Sequence, residues 1–273
     1  MKARLTGLLA LAIPVLAGIA YLELMGAPAS YAILNAAAFG VAAVFGLFAP
    51  PLPSIGKRRV ITVVLIALIF LPLITGPYVN GIARWLPLGP FTLHSGALFL
   101  PALVVLAARD EDFAPPILLA ALLAATLQPD AATSLAVMLA AVGIYTARDD
   151  WRMVPVAGIA FFASLVAGLR GELPAQPFVE RILVHLAFEA PVGALALAGA
   201  LLATFFLLAH ALAAEKSVRH GLAGAFFGFC VAALVSNYPT ILVGYGAAPI
   251  LGFGLAIGLA AATARRTAND PTP

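Results

Sequence analysis

Apolar residues along this chain come in long unbroken runs, separated by short breaks where proline, glycine and the few charges collect. The runs do not alternate apolar with polar, which excludes the strands of an outer-membrane barrel. Most approach the 18 to 25 residues that a helix needs to cross about 30 Å of hydrocarbon. The pattern predicts ten spans, at about residues 5–24, 28–50, 60–77, 91–108, 113–128, 131–147, 153–170, 188–213, 220–240 and 245–264, with boundaries good to about 2–4 residues. The fifth and sixth are short for a crossing and call for tilt or for cover by neighbouring helices.

Charge fixes the orientation that hydropathy leaves open. Lys and Arg accumulate in cytoplasmic loops. With the N-terminus inside, Lys2, Arg4, Lys57, Arg58, Arg59, Arg109, Arg148, Arg152, Lys216, Arg219, Arg265 and Arg266 fall on the cytoplasmic side. Only Arg84, Arg170 and Arg181 fall outside, so both termini are expected in the cytoplasm. Composition agrees with an all-α, polytopic transmembrane bundle: 63% of the 273 residues are hydrophobic and 10% are charged, against about a quarter charged in a soluble domain. No linker divides residues 1–273, which form a single membrane domain ending in a polar tail, 265–273. The net charge of +3 follows from the topology and gives no outward basic patch for a nucleic acid. Cys230 stands alone within a span, so disulfides are absent. The first apolar run with Ala27-Pro28-Ala29 resembles a cleavable leader, but it is long for one and is expected to be retained.

Pairs of glycines at Gly224 and Gly228, and at Gly254 and Gly258, have the spacing for close helix approach. Candidate chemistry lies in the outer segments. Arg84 and Trp85, in TGPYVNGIARWLPLGPF, fit either an interface anchor or a guanidinium fork on the phosphate of a lipid-linked substrate. Asp130, in the turn LQPDAATS, fits a helix N-cap or a buried carboxylate partnered by a cation or an arginine. If 178–189 is helical, Glu180, Arg181, His185 and Glu189 share a neighbourhood. They then form an interfacial polar face, a site with a glutamate base of raised pKa, or a metal site short of a third ligand. No cofactor is called for, while a divalent cation stays open. The segment NYPTILVGYGAAPILGFG reads as a re-entrant turn lining a cavity.

Taken in order, these segments resemble the SEDS family (shape, elongation, division and sporulation), the FtsW/RodA type of integral membrane protein, over about residues 57–264. Gly81 to Trp85 with Leu88, Gly89 and Phe91 are similar to the family's Gly-Ala-Arg-Arg-Trp and Leu-Gly-x-Phe, with one arginine, Arg84, kept. Gln128, Pro129, Asp130 and Thr133 resemble its Gln-Pro-Asp-Leu-Gly-Thr turn, and Gly244 to Ala247 its Ser-Tyr-Gly-Gly-Ser loop, with Tyr245 at the tyrosine. In the long outer segment Glu180 takes the place of the family's essential aspartate, and Glu189 that of a later glutamate. His94 to Leu100 replace Gln-Pro-Ser-Glu-Leu-x-Lys, losing the acid and the base together.

The resemblance implies a peptidoglycan glycosyltransferase of the bacterial cytoplasmic (inner) membrane. It would polymerise lipid II, an undecaprenyl-linked substrate, beside a single-pass class B penicillin-binding protein. Glu180 is then the base, with Arg84 and Arg181, joined by Asp130 and Tyr245, on the substrate, and Trp85, Gln128, His185 and Glu189 in support. The missing pair leaves an alternative: a catalytically degenerate scaffold or lipid-carrier-binding subunit. A transporter would show charges at mid-membrane, and the charges here sit at span ends.

Overall fold

The structure, a computed structural model, describes residues 2–261 apart from 51, 53 and 90. Arg265, Arg266 and the tail 265–273, with the expected cytoplasmic C-terminus, lie outside the described residues. Twelve α-helices and one short hairpin are present: α1 Lys2–Leu24, α2 Ala29–Phe48, α3 Ile55–Phe70, α4 Pro72–Thr75, β1 Trp85–Leu88, β2 Phe91–His94, α5 Ser95–Ala107, α6 Ala114–Leu127, α7 Ala131–Arg148, α8 Met153–Arg170, α9 Ile182–Glu189, α10 Pro191–Phe206, α11 Lys216–Val235 and α12 Ala247–Ala261. A π-helical turn, Leu207–Ala211, extends α10. Among the described residues seven segments are long and apolar enough to cross a membrane, and α5, α6 and α12 are shorter apolar helices, which together make ten.

The ten predicted runs thus correspond to ten helices, but four details differ. Residues 91–94, assigned to the fourth span, form β2 instead. Phe91 and Leu93 are apolar in a strand as they would be in a helix, and a short apolar run cannot tell the two apart. The run 188–213 is broken at Pro191: it has no N–H to continue α9 and drives Ala190 to an extended conformation. The third run begins earlier than expected, at Ile55, where Ser54 caps α3 by accepting from the Lys57 N–H, and it ends at Phe70 before the separate turn of α4. The short crossings are the fourth, fifth and tenth; the sixth, α7, is an 18-residue helix.

Small residues set the tightest contacts. A β-carbon added to Gly224 would stand 2.1 Å from the Leu139 carbonyl, and one on Gly228 2.5 Å from Ala136 Cα, so α11 lies backbone to backbone on α7. Gly254 and Gly258 do the same for α12 against Ala42 and Phe45 of α2. Helix α5 is buried on almost every side, as a uniformly apolar helix must be, and forms the centre of the bundle.

Arg4, Arg59, Arg109, Arg148 and Arg152 gather at one end of the bundle. There they bond to Ala49 O, Asp110, the Leu259 and Ala260 carbonyls, Ala108 O and Asp150 respectively. The hairpin, the α6–α7 turn, the α8–α9 segment and the α11–α12 segment form the other end. The three short helices stop early there: α5 starts after His94, α6 ends before Gln128, and α12 starts after Gly246. At about 1.5 Å per residue, α5 reaches only about 20 Å. The missing turns leave a dent in that end of the bundle.

Candidate functional site

The dent is a cavity of about 590 Å³, walled by the hairpin, by 173–180, by Pro239–Ile241, and by Gly244–Pro249 at the start of α12. Two segments are stitched together to form its rim. Thr240 N–H donates to Val179 O (2.9 Å), Tyr245 N–H to Phe178 O (2.8 Å), and Ile182 N–H to Thr240 Oγ1 (3.2 Å). An isolated bridge pairs Glu180 with Pro239.

Four of the residues singled out from sequence line this space: Arg84, Trp85, Glu180 and Tyr245. Arg84 is only 3% exposed, and its Nε and Nη1 have no hydrogen-bond partner among the described residues. Its guanidinium sits 4.9 Å from the rings of both Trp85 and Tyr238. This burial rules out the solvent-exposed interface anchor. Aromatic faces support a cation, yet they leave its in-plane donors open, and an open donor in a dry site favours an incoming acceptor.

Glu180 Oε2 accepts from the Gln176 N–H at 2.6 Å. Burial pushes the Glu180 carboxyl above its ordinary value, and the Gln176 N–H and the Arg84 charge only partly offset this. Tyr245 stacks on Tyr31 with ring centroids 3.7 Å apart, while Asn35 of α2 donates to Gly244 O and accepts from the Gly246 N–H, each at 3.1 Å.

Asp130 lies below the wall, fully buried at 0% exposure. It caps α7 by accepting the Thr133 N–H (3.1 Å) and the Thr133 hydroxyl. The geometry is that of the N-cap, and among the described residues no arginine or lysine lies within ion-pair distance of the carboxylate. Its other neighbour is His94, whose Nε2 is 3.4 Å from Asp130 Oδ2. That contact is electrostatic, since its geometry falls short of a hydrogen bond. His94 Nδ1 accepts the Ala97 N–H at 3.1 Å, so the ring proton belongs on Nε2, facing the carboxylate. Burial holds His94 below its usual pKa, Asp130 opposes this, and Arg84 adds to it. Tyr238 completes the layer: its hydroxyl accepts the Ala131 N–H at 2.9 Å, and burial first and Asp130 second push its pKa up.

The remaining candidates lie elsewhere. Gln128 ties α6 to Ile69 O and to the Ser95 hydroxyl, beneath the site and off its wall. The helix expected over 178–189 begins only at Ile182, because Arg181 adopts a left-handed φ of 53° and Phe178 one of 64°. Glu180 consequently leaves the shared face and turns to the cavity. Arg181 is half-buried beside it without lining it, and His185 and Glu189 are exposed on α9. Among the described residues no group of three or more His, Cys, Asp or Glu is placed to hold a metal ion. His94, Tyr238, Asn80 and Thr240 went unmarked as site residues. The signals for three of them are the polar Asn-Tyr-Pro-Thr cluster between apolar runs, which holds Tyr238 and Thr240, and a lone histidine at a span start.

No protein-family model matches the chain, and no curated protein sequence does. Solved structures do. The chain is similar to the crystal structure of the Thermus thermophilus rod shape determining protein RodA, with a TM-score of 0.69 and 21% identity over 96% of each chain. It is also similar to a chain of a structure titled for the coordination of polymerization and crosslinking by a peptidoglycan synthase complex, with a TM-score of 0.66 and 22% identity, over 95% of this chain and 98% of that one. With ten apolar helices in this arrangement, the protein is a polytopic membrane protein with the RodA-type, SEDS-like fold.

Proposed function

We propose that the protein is a glycosyltransferase of the bacterial cytoplasmic membrane that polymerises lipid II into peptidoglycan strands at the outer face. One observation carries this: a glutamate of raised pKa, Glu180, and a buried guanidinium with unpaired donors, Arg84, face the same cavity. The acceptor sugar hydroxyl gives its proton to the Glu180 carboxylate, and its oxygen forms a bond to the anomeric carbon of the donor. The anomeric bond to the lipid diphosphate breaks, its electron pair leaves on the phosphate oxygen, and configuration inverts. Arg84 stabilises that developing negative charge. General-base assistance is worth roughly 10²- to 10⁴-fold in rate. A single-pass class B penicillin-binding protein is the expected partner, in keeping with the complex named in one similar structure.

A second reading has its own support. The positions matching the SEDS acid and base are Ala97 on the cavity wall and Leu100 in the core. Replacing both partners of a buried pair by apolar groups leaves no stranded charge and can be neutral for stability. A fold retained as a scaffold or lipid-carrier binder would lose the pair in this way.

Purified protein, alone and with co-purified membrane partners, is assayed for lipid II polymerisation beside Glu180→Gln. The expected outcome is polymer from the unsubstituted chain and at least a 100-fold loss in the variant with its melting temperature retained. Full activity in Glu180→Gln removes Glu180 from the mechanism, and no polymer from the unsubstituted protein in any setting favours the scaffold.

A further inference from the structure

His94 lines the cavity, and its two ring nitrogens are held by groups that ask for opposite protonation states. Nδ1 caps α5 by accepting the Ala97 N–H at 3.1 Å, which uses its lone pair. Nε2 faces Asp130 Oδ2 at 3.4 Å, a neighbour that favours a cationic ring over a neutral one. The neutral ring satisfies the cap and leaves Nε2 without a hydrogen bond among the described residues. A second proton has only Nδ1 to go to, and there it expels the Ala97 N–H. Cap and cation therefore exclude each other. The next residue carries this choice to Arg84: Ser95 donates to the Arg84 carbonyl from its N–H at 2.9 Å and from its hydroxyl at 3.3 Å. Trp85 pairs with His94 across the hairpin and stands edge-on to its ring at 6.4 Å. No side chain pads the joint, since a β-carbon on Gly96 would overlap Thr133 Oγ1 and stand 3.0 Å from Asp130 Oδ2. The start of α5 rests directly on the start of α7. The charged groups facing His94 are Asp130 from the α6–α7 turn and Arg84 from the segment before β1, with Tyr238 of the α11–α12 segment in reach of both. Glu180 and Tyr245 are the other titratable groups on the cavity wall.

We infer that His94 is a proton-operated positioning residue for Arg84. Neutral, it caps α5 and keeps Ser95 on the Arg84 carbonyl. Protonated at Nδ1, it releases Ala97 and pairs with Asp130, which loosens the Ser95 tie and lets Arg84 shift in the cavity wall. Burial opposes the second proton most, Asp130 favours it and Arg84 opposes it again, so the change lies below the ordinary value of 6.5. At neutral pH the capped form holds. The inference takes from the proposed function only the ligand-facing role of Arg84, and the switch itself requires no turnover.

The test uses the full chain in nanodiscs with two background substitutions. Trp151→Phe leaves Trp85 as the single indole, and Trp151 is exposed and off the cavity wall. Glu180→Gln removes the other carboxyl group on that wall. Trp85 emission and hydrogen–deuterium exchange over 95–100 are followed from about pH 8 to about pH 4, across the histidine range. Both should step together below pH 6.5, with exchange rising about fivefold or more, the factor a lost helix cap carries. His94→Asn keeps an acceptor for the Ala97 N–H and cannot titrate, so it should abolish the step and hold exchange slow throughout. Asp130→Asn keeps a cap on α7 and removes the charge, so the step should move down by about one pH unit or more. A flat response in the folded parent, a step that survives in His94→Asn, or one unmoved in Asp130→Asn overturns the proposal. Should these variants fail to fold, ¹⁵N-histidine NMR of the unsubstituted chain decides. A buried Nε2–H tautomer that gains its second proton as exchange over 95–100 rises supports the switch, whereas an Nδ1–H tautomer, or protonation without faster exchange, overturns it. A flat profile beside lipid II polymerisation would leave the polymerase reading standing, and a step without polymerisation would leave this one.

Discussion

The two ends of the bundle treat charge in opposite ways. At the end holding most of the arginines, the guanidinium groups of Arg59, Arg109 and Arg152 each grip a carboxylate or carbonyls, although Arg109 Nε is itself left without a partner. Arg59 donates to both Asp110 oxygens at 2.7 and 3.1 Å, Arg152 grips Asp150 at 2.8 Å, and Arg109 closes the last carbonyls of α12. The hydrogen bonds from Arg59 and Arg152 hold the Asp110 and Asp150 carboxyls below their ordinary range. At the cavity end Arg84 is buried more deeply than any of these, yet two of its donors are unpartnered. Glu180 is pushed the other way, up, by burial. Charge at one end fastens helices together, whereas at the other it is held against its solvation preference, as sites for a charged ligand are. An unpaired buried charge costs stability, so the cavity end is where function and stability pull apart.

The sharpest break between the ends should come from Arg84→Ala. If Arg84 serves a ligand, the variant loses about 100- to 1,000-fold in lipid II polymerisation. Its melting temperature should stay level or rise, since no ion pair is lost. A large drop in melting temperature would place Arg84 with the structural arginines. Arg109→Ala should do the reverse. Losing charged hydrogen bonds to two helix-terminal carbonyls costs about 2–3 kcal/mol, read by thermal or denaturant unfolding, while the residual folded protein keeps its lipid II polymerisation.

Dependence on pH separates the ends next. Asp110 is depressed on folding, so its contribution to stability is present above its ordinary 3.8 and is lost as pH falls through the lower folded value. Glu180 is raised, so folding favours its neutral acid. Its contribution is fullest below 4.5 and is lost as pH rises through the higher folded value. Asp110→Asn should therefore lower the melting temperature at pH 7 by roughly a few degrees, and Glu180→Gln should hold or slightly raise it. Activity should climb as pH passes the raised Glu180 value, because the base must be ionised. The smallest effect is expected from Tyr31→Leu, which removes the ring stacked on Tyr245. A stacked aromatic pair is worth about 0.5–1.5 kcal/mol, so binding should weaken by roughly tenfold or less.

Particular residues show where sequence patterns reach their limit. The resemblance implies Glu180 as a base, and Glu180 does line the cavity. The helix invoked to bring it beside His185 and Glu189 does not exist at that point, because two residues with positive φ, Phe178 and Arg181, precede α9. Left-handed conformations at non-glycine residues leave no trace in hydropathy. Asp130 is legible as a cap, but the histidine beside it is not, since His94 reaches it from a strand that an apolar run conceals.

The sequence alone determined the ten apolar helices, the end at which most basic residues lie, and the segments that line the cavity. These follow from one-dimensional quantities: the length of apolar chain needed to span hydrocarbon, and the bias of Lys and Arg to one side. Only the tertiary structure decided that α5, α6 and α12 stop short around a shared cavity, that Arg84 is left with open donors, and that the start of α12 faces it. Those outcomes depend on contacts between residues far apart in the chain, such as Asn35 with Gly244 and Gly246, or Arg109 with Leu259 and Ala260. Local patterns carry no term for the burial or pairing that a distant segment imposes.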